Sequence, residues 1–338
     1  RSGSVACRSV LAGWLAGRPC AAMAKTGKDG LSDDYSKTMQ SKMGTALTYR
    51  HEDGMNYATY TPSLVVGSCP QRPEDVDVLK KEGVSVVLCL QEDSDMAHFD
   101  LEIGPIQQRC AELGITHARE PIRDFDPFSF RRGVARAVRR LVLELAANPG
   151  KGYIHCTAGM GRAPGTAVAF RYWIDGVAIV KAREELLAVR RCHPQMDAIR
   201  AATCDLLAGD EGSARMMRIA VSQPGAKAVE IAGLDVGWGN RLQMSPEGDD
   251  GLFVLQRNLL PGGYPFKFIV DGEWMTCSEY PTITDGKNDN NSITVMANEG
   301  DPKEAEQRTR LMLPDGCPTE EEWRQLRDLL GHGGKRDA

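Results

Sequence analysis

The sequence predicts two domains of different class: an α/β domain with a central, mostly parallel sheet flanked by helices, then an all-β immunoglobulin-like sandwich, closed by a C-terminal helix. Three observations carry that expectation. From Leu64 onward, short apolar β-type runs alternate with stretches of helical periodicity, the pattern of a parallel sheet. After Gly212 the helical periodicity gives way to short strands between Gly, Pro, Asn and Asp clusters, the spacing of an antiparallel sandwich. A chain of 338 residues, at roughly 150 per domain, has the length for two such cores.

Residues 1–31 stand apart. Five basic residues (Arg1, Arg8, Arg18, Lys25, Lys28) and no acidic one precede Asp29, with Ser2, Ser4 and Ser9 and a short apolar stretch from Val10 to Gly17. This is the composition of a transit peptide; a secretory signal built on the same apolar stretch and a disordered tail are the alternatives. The α/β domain is expected over 32–214. Leu64–Gly67 predicts a strand, Arg72–Glu82 an amphipathic helix through Val76 and Leu79, and Val84–Leu90 an apolar strand, a succession that implies parallel pairing. A helix over Pro105–Leu113, the segment His117–Ile122, a long helix over about 131–147 stopped by Asn148-Pro149-Gly150, and a strand at Tyr153–His155 follow. The sandwich, expected over 215–300, takes strands at Met217–Ser222, Lys227–Ile231, Leu252–Asn258, Tyr264–Val270 and Ser292–Met296. In 301–338, an acidic linker leads to Thr319, an N-cap before Glu320, Glu321 and Glu322, with Trp323, Leu326, Leu329 and Leu330 on one face of the helix.

Composition excludes several classes. A net charge of −5, 6% aromatic residues and no long Lys/Arg run give no electrostatic footprint for a nucleic-acid partner. No apolar run reaches the roughly 18 residues of a membrane span. The ten cysteines are scattered without a CxxC pair, which argues against a zinc ribbon or a dense disulfide framework.

The segment His155-Cys156-Thr157-Ala158-Gly159-Met160-Gly161-Arg162 carries the chemistry. A cysteine followed six positions later by an arginine is weak evidence alone. Here a buried strand delivers the cysteine, glycines at 159 and 161 let the backbone wrap, and a helix with Thr166, Ala167, Val168 and Phe170 begins just after Arg162. Such a loop, formed by Thr157, Ala158, Gly159, Met160, Gly161 and Arg162, aims N–H groups and a helix N-terminus at one point, as phosphate sites do. The same positive potential favours the thiolate of Cys156 as nucleophile, and the planar fork of Arg162 suits a phosphoryl group. This chemistry asks for no metal or other cofactor. A phosphomonoester also needs its leaving oxygen protonated, and Arg123-Asp124-Phe125-Asp126 offers two carboxylic acids. Either could instead cap the following helix, and Asp126 lies closer to its start.

Read through to Pro164 and joined to Arg123–Asp126, the loop resembles the plant and algal glucan phosphatases, most nearly the starch-excess type: a dual-specificity phosphatase domain followed by a family 48 carbohydrate-binding module. The resemblance implies Cys156 as nucleophile, Arg162 as phosphate ligand and Asp124 as general acid. Ala163 stands where many cysteine phosphatases carry Ser or Thr. It further implies a sugar channel lined by Phe125, Phe99 and Tyr49, each of which could equally be core. In the module it implies glucan contacts at Trp238, Lys267, Trp274 and Asn290 or Asn291. The terminal helix is expected to dock on the phosphatase domain through Trp323 and Leu326, joining the two domains.

The expected partners are phosphorylated starch glucans, amylopectin and maltooligosaccharides, with the protein monomeric and placed in the plastid stroma at the starch granule surface. A protein phosphatase targeted to starch granules and a glucan-binding scaffold with a vestigial loop are the alternatives. Cys89 ends a strand expected beside that of Tyr153, which makes it a candidate redox partner of Cys156, or a plain buried cysteine.

Overall fold

The computed structural model describes residues 29–209, 214–286, 288–296 and 302–332. The expected leader lies outside the described residues as far as residue 28; Asp29, Gly30 and Leu31 already belong to a helix, α1 (Asp29–Met43). The α/β domain continues with β1 (Tyr57–Thr61), β2 (Leu64–Gly67), α2 (Pro73–Lys81), β3 (Val84–Cys89), α3 (Asp93–His98), α4 (Ile103–Glu112), β4 (Thr116–Arg119), α5 (Pro127–Ala147), β5 (Lys151–His155), α6 (Arg162–Trp173), α7 (Ile179–Val189) and α8 (Met196–Ala208).

Its sheet has the order β1-β2-β5-β3-β4, with β2, β5, β3 and β4 parallel and β1 antiparallel on the edge. β2 and β3 are parallel as expected but not adjacent, because β5 lies between them. That places the strand leading to Cys156 at the centre, where both faces are covered. The period of two along each strand does the sorting. Leu64, Val66, Val86, Leu88 and Ile154 face a core shared with α5, α6, α7 and α8. Val65, Val87 and Tyr153 face the other, smaller core under α2 and α4.

The second domain consists of β6 (Arg215–Ser222), β7 (Val229–Gly233), β8 (Gly237–Gln243), β9 (Ser245–Glu247), β10 (Leu252–Leu259), β11 (Gly262–Val270), β12 (Glu273–Met275), β13 (Thr282–Thr284) and β14 (Asp289–Val295). A three-stranded sheet β6-β10-β9 lies over a larger sheet β13-β14-β11-β7-β8, with β12 added to β11. Ile219, Val221, Phe253, Phe266 and Phe268 fill the space between them.

The chain then returns to the first domain through α9 (Pro302–Met312) and α10 (Glu320–Leu329). Thr319 caps α10 as its sequence predicts: its hydroxyl accepts from the Glu322 amide and the Glu322 carboxylate accepts from the Thr319 amide. Leu326 and Leu330 are buried in the α/β core, and the Trp323 indole donates to the Tyr172 carbonyl at 2.8 Å. Leu329 departs from the expected buried face and is 47% exposed: Leu330, four past Leu326, continues the buried stripe, and Leu329 falls at its solvent edge.

Between the domains, the Phe128 ring stacks on Tyr264 at 5.0 Å. Buried Asp205 of α8 binds Arg131 of α5 at 2.6 Å and Arg308 of α9 at 2.9 Å, and Arg131 also donates to the Pro261 carbonyl of the sandwich. Asp235 of the sandwich, buried, is paired with both Arg132 of α5 and Arg257 of β10. Buried carboxylates held this way are costly to strand, so these pairs fix orientation.

Candidate active site

β5 delivers Cys156 into a loop, residues 157–161, that ends at the start of α6. The loop's carbonyls are tied outward. Cys69 N–H donates to Thr157 O, Arg190 to Ala158 O and Gly159 O, and His193 N–H to Met160 O. This leaves the N–H side of those peptides for the concave face, where a helix N-terminus adds its partial positive charge. Gly159 is required by two facts at once. Its φ is +65°, and a Cβ there would meet the Gly67 carbonyl at 2.3 Å.

Arg162, buried, holds a dense set of acceptors. One terminal nitrogen donates to Asp95 at 2.6 Å and to the Ile122 carbonyl at 2.8 Å; the other reaches Asp124 Oδ2 at 2.7 Å and Thr157 Oγ1 at 3.2 Å. Its Nε has no partner. Burial opposes the guanidinium charge, but Asp124 and then Asp95 outweigh it and hold the pKa well above its ordinary value.

The two aspartates upstream take different roles. Asp126 accepts from the amides of Phe128 and Ser129, both at 2.9 Å, and caps α5. Asp124 points the other way, to Arg162, because Phe125 between them adopts φ +56°, a left-handed conformation that costs a non-glycine residue about 1–2 kcal/mol. Burial raises the Asp124 pKa above its ordinary value, as does Asp95, while Arg162 and a hydrogen bond from Tyr35 work against it. That Tyr35 hydroxyl donates to Asp124 Oδ2 at 2.6 Å. Arg123 ties the segment to the sandwich: it pairs with Asp126 and donates to the Val236 carbonyl at 3.0 Å.

A cavity of about 930 Å³ opens between the two domains. Asp124, Phe125 and Phe128 line one side, and Trp238, Lys267, Trp274 and Asn290 the other. Trp274 is 47% exposed, with Arg241 over its ring at 5.8 Å. Five of the expected sugar-contact residues thus share one space. Three do not. Tyr49 and Phe99, expected in an open channel, are buried at 2% and 4% exposure because α1 lies over them. Asn291 is consumed by the fold: its amide accepts from Cys277 N–H and donates to Cys277 O, both at 2.8 Å.

Cys89 sits opposite His155 in the β3–β5 register and is a free, buried thiol whose pKa burial pushes up to about 11. Cys69, which sequence inspection passed over, is likewise pushed up to about 12. Asp95 and Tyr35 were also not singled out. Asp95 carries a local signal, an acidic run directly after β3 where parallel sheets place their sites.

Residues 59–211 match the family described as the Swiss Army Knife protein, DSP-PTPase phosphatase domain, and residues 217–301 match the glycogen recognition site of AMP-activated protein kinase. Over 303 residues the chain is 39% identical to phosphoglucan phosphatase DSP4, amyloplastic, of Castanea sativa, an alignment covering 88% of this chain and 80% of that protein. The chain belongs to the phosphoglucan phosphatase family. A second member, phosphoglucan phosphatase LSF1, chloroplastic, of Arabidopsis thaliana, is 25% identical over 285 residues, covering 82% of this chain and 48% of that protein. Among solved structures, Tk-PTP in its active form is 19% identical, covering 43% of this chain and 92% of its own, with a TM-score of 0.35.

Proposed function

We propose that this chain removes phosphate monoesters from starch glucans, amylopectin and its maltooligosaccharides, through a phosphocysteine intermediate. The observation that carries the reading is the single cavity joining the Asp124–Phe125 segment to Trp238, Lys267 and Trp274. A scaffold would not need an acid there, and a phosphopeptide would not need flat rings spaced along the path, whereas a sugar offers C–H faces for rings and hydroxyls for Asn290 and Lys267.

In the first step the Cys156 thiolate forms an S–P bond as the bond from phosphorus to the glucosyl oxygen breaks, and Asp124 gives its proton to that oxygen. Arg162 and the loop amides follow the phosphoryl charge. In the second, water attacks phosphorus, Asp124 takes a proton from it, and inorganic phosphate leaves as the thiolate re-forms. Ala163, buried in the core, offers no hydroxyl to help that departure. The amyloplastic and chloroplastic names of the two relatives and the composition of residues 1–31 support a plastid location, in the stroma at the granule surface.

Phosphate release from phosphorylated amylopectin, a phosphopeptide and p-nitrophenyl phosphate, compared among wild type, Cys156→Ser and Trp274→Ala, tests this. Cys156→Ser loses all three activities. Trp274→Ala loses glucan activity by about tenfold, the effect of one aromatic contact, and keeps the aryl activity. Preference for the phosphopeptide would instead favour a protein phosphatase.

A further inference from the structure

The cavity that reaches Asp124 and Phe125 does not include Cys156 or Arg162 among its lining residues, and Cys156 is only 2% exposed. What stands in the way is α1. Its Leu31, Tyr35, Met39 and Met43 pack against Tyr49, Phe99, Phe125, Ala158 and Met160, the two last belonging to the catalytic loop. The Tyr35 ring lies 5.7 Å from Tyr49, 5.6 Å from Phe99 and 5.3 Å from Phe125. Met43 rests on Gly161, its methyl 3.2 Å from where a Cβ would be.

We propose that α1 is an intramolecular occupant of the sugar channel, latched by the Tyr35 hydroxyl on Asp124, and that phosphoglucan must displace it before reaction. The inference rests on the assignment of Cys156, Asp124 and Arg162 under the proposed function and deepens it. Three features fit an occupant better than a wall. The aromatic rings expected to stack on glucose are already covered by apolar side chains of α1. The acid and the phosphate ligand hold each other: Asp124 Oδ2 lies on the Arg162 nitrogen that a phosphoryl oxygen needs, while the neighbouring Nε stays unpartnered. The latch itself is one neutral donor on one carboxylate oxygen; most of the other polar contacts of α1 run to the segment 47–52, from Ser32 to exposed Glu52, from Gln40 to the half-buried Leu47 carbonyl, and through a buried exchange of hydrogen bonds between Ser36 and the Tyr49 backbone. An incoming phosphate dianion would take both Arg162 nitrogens, free Asp124 for its proton, and break the latch in one event.

The groups facing Asp124 are Tyr35 from α1, Arg162 from α6 and Asp95 from α3, with Cys156 and Asp124 both acting electrostatically on Tyr35. Because the Tyr35 donor favours the ionised carboxylate, its loss moves the high-pH limb of the kcat/KM profile to higher pH.

The test uses the full chain with Tyr35→Phe, which keeps the ring, and Tyr35→Ala, which removes it. Displacement predicts that both raise kcat/KM on p-nitrophenyl phosphate and on phosphorylated amylopectin, Tyr35→Ala by roughly fivefold or more. It predicts the upward pH shift in Tyr35→Phe, and faster amide hydrogen exchange over residues 29–43 when maltoheptaose and orthophosphate are added together. A fall or no change in kcat/KM for both variants, or greater protection of 29–43 with those ligands, would overturn the proposal and make α1 a fixed wall of the site. If wild type releases no phosphate from amylopectin, or Cys156→Ser remains active, the underlying assignment fails instead.

Discussion

At the scale of residues, the two aspartates and two asparagines show how far spacing alone can go. Spacing alone offers both Asp124 and Asp126 as acid or cap, with Asp126 closer to the helix start, and it is the family resemblance that implies Asp124 as the acid. Only the left-handed Phe125 separates an acid aimed at Arg162 from a cap aimed at α5 amides. Asp124→Asn is expected to cut kcat on phosphorylated amylopectin by about 10²–10⁴ and to affect p-nitrophenyl phosphate far less, since nitrophenolate leaves without a proton. In the native enzyme kcat/KM falls as pH rises through the raised pKa of Asp124, and the variant lacks that limb. Asn290 and Asn291 alternate across β14, so one lines the cavity and the other is spent inside. Asn291→Ala therefore destabilises the fold by the roughly 1–3 kcal/mol of a stranded buried partner, read as a lower melting temperature, whereas Asn290→Ala, which gives up one hydrogen bond to Asp285 at 3.3 Å, weakens maltoheptaose binding in calorimetry with a smaller loss of stability. For Cys89, a pKa pushed up to about 11 leaves little thiolate at neutral pH to resolve an oxidised Cys156. If the pair operates, the linked peptide found by mass spectrometry after mild peroxide accumulates faster as pH rises; its absence throughout removes Cys89 from the chemistry.

At the scale of elements, the strands of the parallel sheet, the long helix α5 and the capped α10 were legible because each has a dominant period and a chemical start or stop signal. The helix α1 was not, and the reason is instructive. It is polar on most of its surface, and its apolar residues Leu31, Tyr35, Met39 and Met43 fall at a strict spacing of four, a narrow stripe with little mass. That stripe was the available signal, masked by the change of composition at residue 29. The short β9, β12 and β13 were invisible for a different reason: three residues cannot display a period, and pairing with longer neighbours defines them. The catalytic loop is the element with least tolerance. Gly159→Ala is expected to abolish phosphatase activity through its clash with Gly67, while leaving the far-ultraviolet circular dichroism of the rest intact. Arg123→Ala cuts the tie between the acid's segment and Val236, and is expected to lower kcat on glucan while KM for p-nitrophenyl phosphate holds.

For the whole molecule, domain order and class were readable from texture, but the way the domains meet was not, since it depends on single buried charges such as Asp205 and Asp235 whose partners lie far away in the chain. Asp205→Ala strands Arg131 and Arg308 and is expected to cost about 3–5 kcal/mol, measurable as a lower urea midpoint. Acid acts through His155, whose pKa burial and the nearby His117 lower to about 3. Its folded pKa lies below the unfolded value, so the stability it contributes is complete above about 6.5 and is lost on acidification toward about 3, at up to about 1.4 kcal/mol per pH unit. The urea midpoint should decline over that window. Finally, Leu326 and Leu330 sit in the same core as Ile154 and Val168, although a whole sandwich separates them in sequence. During synthesis the α/β domain therefore emerges from the ribosome with part of its core uncovered, until Leu311, Leu326 and Leu330 have followed the sandwich out to cover it.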